Sequence, residues 1–170
     1  VEYLAAAAGS NPDYPDLRLQ LGMAYLCAGR LDAARSELRE AVRLNPGYTA
    51  AHIHLGKVEV QAGRPAEAIP HLQRALELDR RLADVHGLLG EARLAAGDPT
   101  GAEAAFAEAL SLNANYLDAQ LGLAGLRRRQ GRDAEARELY RRVLELDPVN
   151  LVALGQLEPR DGDAALGDED

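Results

Sequence analysis

Apolar positions along this chain recur in two registers. Over short distances they fall three or four apart: Leu17, Leu21, Ala24 and Tyr25 share one helical face, and Gly29-Arg30 ends the run. A second run follows with Leu31, Ala34, Leu38, Ala41, Val42 and Leu44, broken by Asn45-Pro46-Gly47. Over longer distances the whole pattern returns every 34 residues. Leu21-Gly22 becomes Leu55-Gly56, Leu89-Gly90 and Leu123-Ala124, while Ala41 becomes Ala75, Ala109 and Val143. A fixed period of this length marks one supersecondary unit stacked on copies of itself.

The pattern predicts helices near 49–62 and 65–78, 83–96 and 99–112, and 117–130 and 133–146. Pro65 and Pro99 fall in first turns, where a missing N–H does no harm. Asp98 is placed to cap the helix that follows it. Two-residue connections between helices of equal length fold each pair into an antiparallel hairpin. Leu4, Ala7 and Pro12 precede Leu38, Ala41 and Pro46 by one period, so residues 1–14 read as the end of a unit that starts upstream, in a longer protein. The divisions expected are units at 15–48, 49–82, 83–116 and 117–150, a closing helix at 151–158, and a tail at 159–170. Asn150 to Leu157 presents Leu151, Leu154 and Leu157 to one side, to cover the apolar end of the stack.

These residues resemble the tetratricopeptide repeat family. Counting from Pro15, Thr49, Ala83 and Leu117, the family's small residues fall at position 8 (Gly22, Gly56, Gly90, Ala124), at position 20 (Ala34, Ala68, Ala102, Ala136) and at position 27. Position 24 is large in every unit: Leu38, Leu72, Phe106 and Tyr140. Proline at position 32 is present as Pro46 and Pro148 but replaced by Arg80 and Ala114. The tryptophan expected at position 4 is absent; Arg18, His52, His86 and Gln120 stand there. The resemblance implies an all-α fold, a right-handed superhelix or α-solenoid of stacked helix-turn-helix repeats, with first helices lining a concave groove.

The small residues have a steric reason of their own. Glycine inside a helix costs roughly 1 kcal/mol against alanine, so its return at position 8 requires a close approach between helices.

In the family the groove is lined mainly by positions 2, 5, 9, 12 and 13. Here the first unit offers Asp16, Leu19, Met23, Leu26 and Cys27, and the second Ile53, Lys57 and Val60. The third offers Asp84, Glu91 and Leu94, and the fourth Asp118, Leu121, Arg128 and Arg129. Leu19, Met23, Leu26, Ile53 and Val60 read as an apolar strip free to take a partner peptide or helix, with Lys57, Arg128 and Asp84 tuning specificity. The carboxylate clamp of chaperone-tail-binding relatives is not matched, because its positions hold Leu19 and Met23. Nor is the asparagine ladder of glycosyltransferase relatives, whose position reads Gln20, His54, Leu88 and Gly122.

Composition narrows the function classes. Of 170 residues, 47% are apolar but only 4% aromatic, a balance that suits helix over sheet. No apolar run reaches the roughly 20 residues of a membrane span. The net charge is −8, of which −5 falls on Glu158 to Asp170, a segment that reads as disordered. The remaining −3 shows none of the concentrated positive charge of a nucleic-acid binder. Lys57 is the only lysine beside abundant arginine, alanine, glycine and leucine, the signature of a GC-rich bacterial genome.

Catalytic chemistry finds no support. His52 and His54 point to different sides of a helix and cannot chelate together. His52 and His86 share a position in successive units and read as polar substitutes for the missing aromatic rather than as metal ligands. His71 reads as facing solvent, Cys27 as a small packing residue without an activating base, and Arg127-Arg128-Arg129 as a solvated helix end. No cofactor or metal is expected. The expectation is a non-enzymatic scaffold with a protein or peptide ligand. A docking arm of a larger enzyme, or self-association through open repeat ends, are the alternatives. The compartment is open, cytoplasm being favoured over periplasm.

Overall fold

The computed structural model describes residues 1–157, and everything structural below concerns those residues. They form ten helices and no strands: α1 (Glu2–Ser10), α2 (Pro15–Cys27), α3 (Leu31–Leu44), α4 (Thr49–Gln61), α5 (Pro65–Leu78), α6 (Ala83–Ala95), α7 (Pro99–Leu112), α8 (Leu117–Arg129), α9 (Asp133–Leu146) and α10 (Leu151–Leu157). Sequential helices pack as hairpins, and α2, α4, α6 and α8 also touch one another in a row. The first helices therefore form the inner layer of an all-α solenoid, and α3, α5, α7 and α9 form the outer one. The tail expected at 159–170 lies outside the described residues.

Each turn inside a hairpin is built by a glycine with positive φ: Gly29 (69°), Gly63 (70°), Gly97 (84°) and Gly131 (74°). That left-handed conformation lets the following amide reach back over the helix end, as Arg30 N–H does to the Tyr25 carbonyl at 2.9 Å. Arg64, Asp98 and Arg132 repeat the bond to Glu59, Arg93 and Arg127. Asp98 caps α7 as expected, its carboxylate accepting from Gly101 N–H at 2.9 Å. Between hairpins the turn is set one residue before the family's proline. Asn45, Asp79 and Asn113 each accept a backbone N–H two residues on, at 3.1, 2.9 and 3.1 Å. This side-chain turn explains why Arg80 and Ala114 can stand where proline is absent.

The core repeats with the period. Leu38, Leu72 and Phe106 are fully buried and fill the space left by Gly22, Gly56 and Gly90. A Cβ on any of those glycines would lie under 3.0 Å from the facing side chain, closer than real Cβ contacts come. Phe106, the largest of the three, needs a second gap, and Gly122 on α8 provides it: a Cβ there would meet the ring at 2.5 Å. In the last hairpin Ala124 and Tyr140 meet without a glycine. α10 covers the end of the stack differently from the expectation. Ala153 is buried and Leu157 packs beside it against α9, whereas Leu151 and Leu154 remain exposed.

Candidate functional site: the concave face

The inner row α2, α4, α6 and α8 presents its free side to the concavity, and there most of the apolar strip expected from the sequence is drawn partly into packing between the helices. Leu19 is 7% exposed and belongs to the core shared by the hairpin α2–α3 and helix α4, with Leu38, Ala51 and Leu55. Leu26 is half-buried against the same core. Ile53 and Val60 pack on the next core, Leu94 on the third and Leu121 on the last. These residues bridge successive first helices, which cannot stack without apolar contact on both flanks. Met23 is the most open of them, at 37% exposure, the others being half-buried except for Leu19.

The concavity also carries charge: acidic around Tyr116, with the cations Arg128 and Arg129 at the far end of α8. Asp84, Glu91 and Asp118 are exposed on its surface. The ring of Tyr116, half-buried just before α8, sits among them. Gly87 makes that placement possible, since a Cβ there would run into the Tyr116 ring. Burial, with the charges of Asp118, Glu91 and Asp84, pushes the Tyr116 hydroxyl up to about 12. Desolvation in the concavity and the charge of Asp118 raise the Glu91 carboxyl above its ordinary range. At the other end Tyr48 donates to Asp16 Oδ1 at 2.6 Å, and this bond is the chief reason its hydroxyl also rises to about 12. Lys57 lies half-exposed between the two ends, Arg128 half-exposed and Arg129 exposed beyond Leu94. Sequence reasoning missed Tyr48 and Tyr116, while Asp118 stood among the groove positions it gave. Their signal was periodic: tyrosine at position 34 as Tyr14, Tyr48 and Tyr116, and aspartate at position 2 as Asp16, Asp84 and Asp118.

Other expectations change as well. Arg127 is no solvated helix end: it pairs with Glu103 at 2.6 Å and Glu135 at 3.4 Å, its side chain only 12% exposed. His71 does not simply face solvent. It packs against the buried His52, ring centroids 5.6 Å apart, and burial, its largest influence, lowers its basicity. His54 is likewise lowered by desolvation and by Lys57. Cys27 is exposed and unpaired in any disulfide. Among the described residues no group of three or more His, Cys, Asp or Glu is gathered as a metal site. No described helix is long and apolar enough to cross a membrane.

The residues at position 4 hold one common bond. Each donates a side-chain N–H to the carbonyl six residues earlier: Arg18 Nε to Pro12 at 3.3 Å, His52 Nε2 to Pro46 at 3.2 Å, His86 Nε2 to Arg80 at 3.1 Å and Gln120 Nε2 to Ala114 at 2.7 Å. Three unlike side chains thus satisfy the same turn carbonyl, which explains their presence where the family's tryptophan is missing.

Such a molecule, a stack of helical hairpins with a packed inner row and an open concave surface, is a helical-repeat interaction scaffold. Its sequence places it within a known family: tetratricopeptide repeat models match residues 1–49, 19–83, 53–116 and 93–157, and the chain belongs to the tetratricopeptide repeat family. Among solved structures, a MamA crystal structure is similar at 23% identity and TM-score 0.80, covering 85% of each chain. A MamA structure from Desulfovibrio magneticus RS-1 is similar at 21% identity and TM-score 0.82, covering 88% of this chain and 84% of that one. The thermophilic repeat protein TTC0263 of Thermus thermophilus is similar at 24% identity and TM-score 0.72, over 90% of this chain and 84% of that one. At these identities the likeness concerns the fold. No curated protein matches the sequence.

Proposed function

We propose that this chain is a non-enzymatic scaffold that holds a basic segment of a partner protein along its concave face. One observation carries the reading: Asp84, Glu91 and Asp118, from neighbouring first helices, converge around Tyr116, and no ion pair compensates them among the described residues. Burial, joined by the charge of Asp118, makes the Glu91 carboxyl costly to ionise. A guanidinium or ammonium group entering the concavity removes that cost and gains charge-assisted hydrogen bonds. The ring of Tyr116 supplies apolar contact beside the charges, and Met23 on α2 adds another, two repeats along the concavity. The partner is thereby cationic rather than purely apolar, since Leu19, Ile53 and Val60 are engaged in packing the solenoid.

Fluorescence polarisation with a short labelled peptide of alternating Arg and Ala tests the reading. Saturable binding is expected, weakened by salt and by the triple change Asp84→Asn, Glu91→Gln and Asp118→Asn. The same peptide with Glu for Arg should not bind. Equal affinity for both peptides, or no loss in the triple variant, refutes the proposal.

A further inference from the structure

Among the described residues, the His52–His71 contact is the one place where two nitrogen ligands face each other with nothing between them. The Nδ1 atoms lie 3.4 Å apart. His52 is 6% exposed, and its Nε2 lies 3.2 Å from the Pro46 carbonyl. A carbonyl only accepts, so Nε2 carries the proton and Nδ1 presents a bare lone pair to His71. In the other hairpins the same two positions hold an ion pair, Arg18 with Glu37 at 2.8 Å, or join His86 to Ala105 and Gln120 to Leu139. The histidine pair is therefore not a requirement of the repeat.

We propose that His52 Nδ1 and His71 Nδ1 form a two-histidine site for a divalent transition-metal ion of the zinc type. Two ligands about 2.0–2.1 Å from a tetrahedral ion stand about 3.4 Å apart, which is the separation already present. The outer bond from His52 Nε2 to a backbone carbonyl is the support that metal-bound imidazole ordinarily has. Without metal, His71 Nδ1–H donates to His52 Nδ1. With metal bound, that proton sits on His71 Nε2 instead, so the neutral pair binds with no net proton release. Two protein ligands leave the remaining positions to water, which enters on the partly exposed side of His71. Glu67 stands one turn before His71 on α5 and is held 3.3 Å from Arg39, leaving the pair itself as the whole of the protein's donor set.

Calorimetric titration of the full chain with ZnCl2 at neutral pH tests this, using His52→Gln, His71→Ala and the control His86→Gln. His52→Gln keeps the turn bond, as Gln120 shows, and removes the ligand, so circular dichroism should be unchanged. The expected result is saturation near one equivalent, weakened about tenfold or more in the first two variants and unaltered in the control. Absence of saturable binding up to millimolar zinc, or equal binding in all four proteins, overturns the site.

Discussion

Glu59 on α4 is wholly buried, and its Oε1 lies 3.2 Å from Nε of Arg35 on α3, in the preceding hairpin. Arg64 Nε approaches the other oxygen at 2.7 Å, and Arg39 stands at 3.4 Å. Burial holds this carboxyl above its ordinary range, with Arg35 and Arg39 working against that rise. At the junction of the last two hairpins the same two positions carry Glu103 and Arg127 at 2.6 Å, with the signs exchanged. The junction between them holds Ile69 and Arg93, and Arg93 donates instead to the Gly101 carbonyl at 3.0 Å. Charge order thus distinguishes one junction from another in an otherwise uniform stack. Replacing Glu59 by Leu leaves the half-buried Arg35 with only the exposed Asp32, 3.1 Å away, and should cost about 1–3 kcal/mol in urea unfolding. Glu103→Arg alone should lose about 1 kcal/mol, part of which Arg127→Glu restores, because the pair then has the order of Arg35 and Glu59.

The shared bond at position 4 gives a sharper substitution rule than residue similarity. Gln120→His should change stability by less than about 0.5 kcal/mol, since His52 and His86 make the same bond in their own hairpins. Gln120→Leu, close in volume, strands the Ala114 carbonyl and should cost about 1–2 kcal/mol. Thermal unfolding of the two variants checks the contrast.

Glycines at two positions should answer an added methyl in opposite ways. Gly56→Ala drives a Cβ into the Leu72 side chain and should cost about 1–2 kcal/mol, with Gly56→Leu nearer 3. At Gly125 the nearest atom is the Tyr140 hydroxyl at 4.0 Å, so Gly125→Ala should gain up to about 1 kcal/mol of helix propensity. Denaturation midpoints that move the same way in both variants contradict the packing described.

Glu91 sets the fold against its proposed use. Its carboxyl is raised in the folded state, so that state holds more protons than the unfolded chain across the carboxylate range. Stability therefore falls as pH rises through that range, and the penalty is complete at neutral pH. Glu91→Gln removes the penalty and should stabilise by a few tenths of a kcal/mol at about pH 7. The gain should close at about pH 3, where the carboxyl is protonated in both states. The same variant should bind the cationic probe less well, so the stability change and the affinity change have opposite signs.

The register of the stack was legible because steric rules repeat at fixed intervals: a glycine at position 8 and a large residue at position 24 identify each other in sequence. Helix ends were legible too, since Gly29, Gly63, Gly97 and Gly131 adopt a conformation that glycine alone takes without strain. The concave site was legible only in part: Asp84, Glu91 and Asp118 fell at groove positions, but their neighbours did not show. Leu19 and Ile53 read as free because a period shows which residues recur, not which neighbouring unit covers them. Tyr116 lies between two helices and acts on Gly87 of the helix α6 before it, a contact no single helical pattern encodes. His71 and Arg127 were placed in solvent for the same reason: their partners, His52 and Glu103, come from other helices.

The most direct measurement is a map of amide chemical shifts as the Arg-Ala peptide is added to the isotopically labelled chain. The account predicts shifts concentrated on α6, α8 and Tyr116, following Asp84, Glu91 and Asp118, and absent from the triple variant. Shifts centred on the outer helices α3, α5, α7 and α9, or unchanged by the triple substitution, would contradict it.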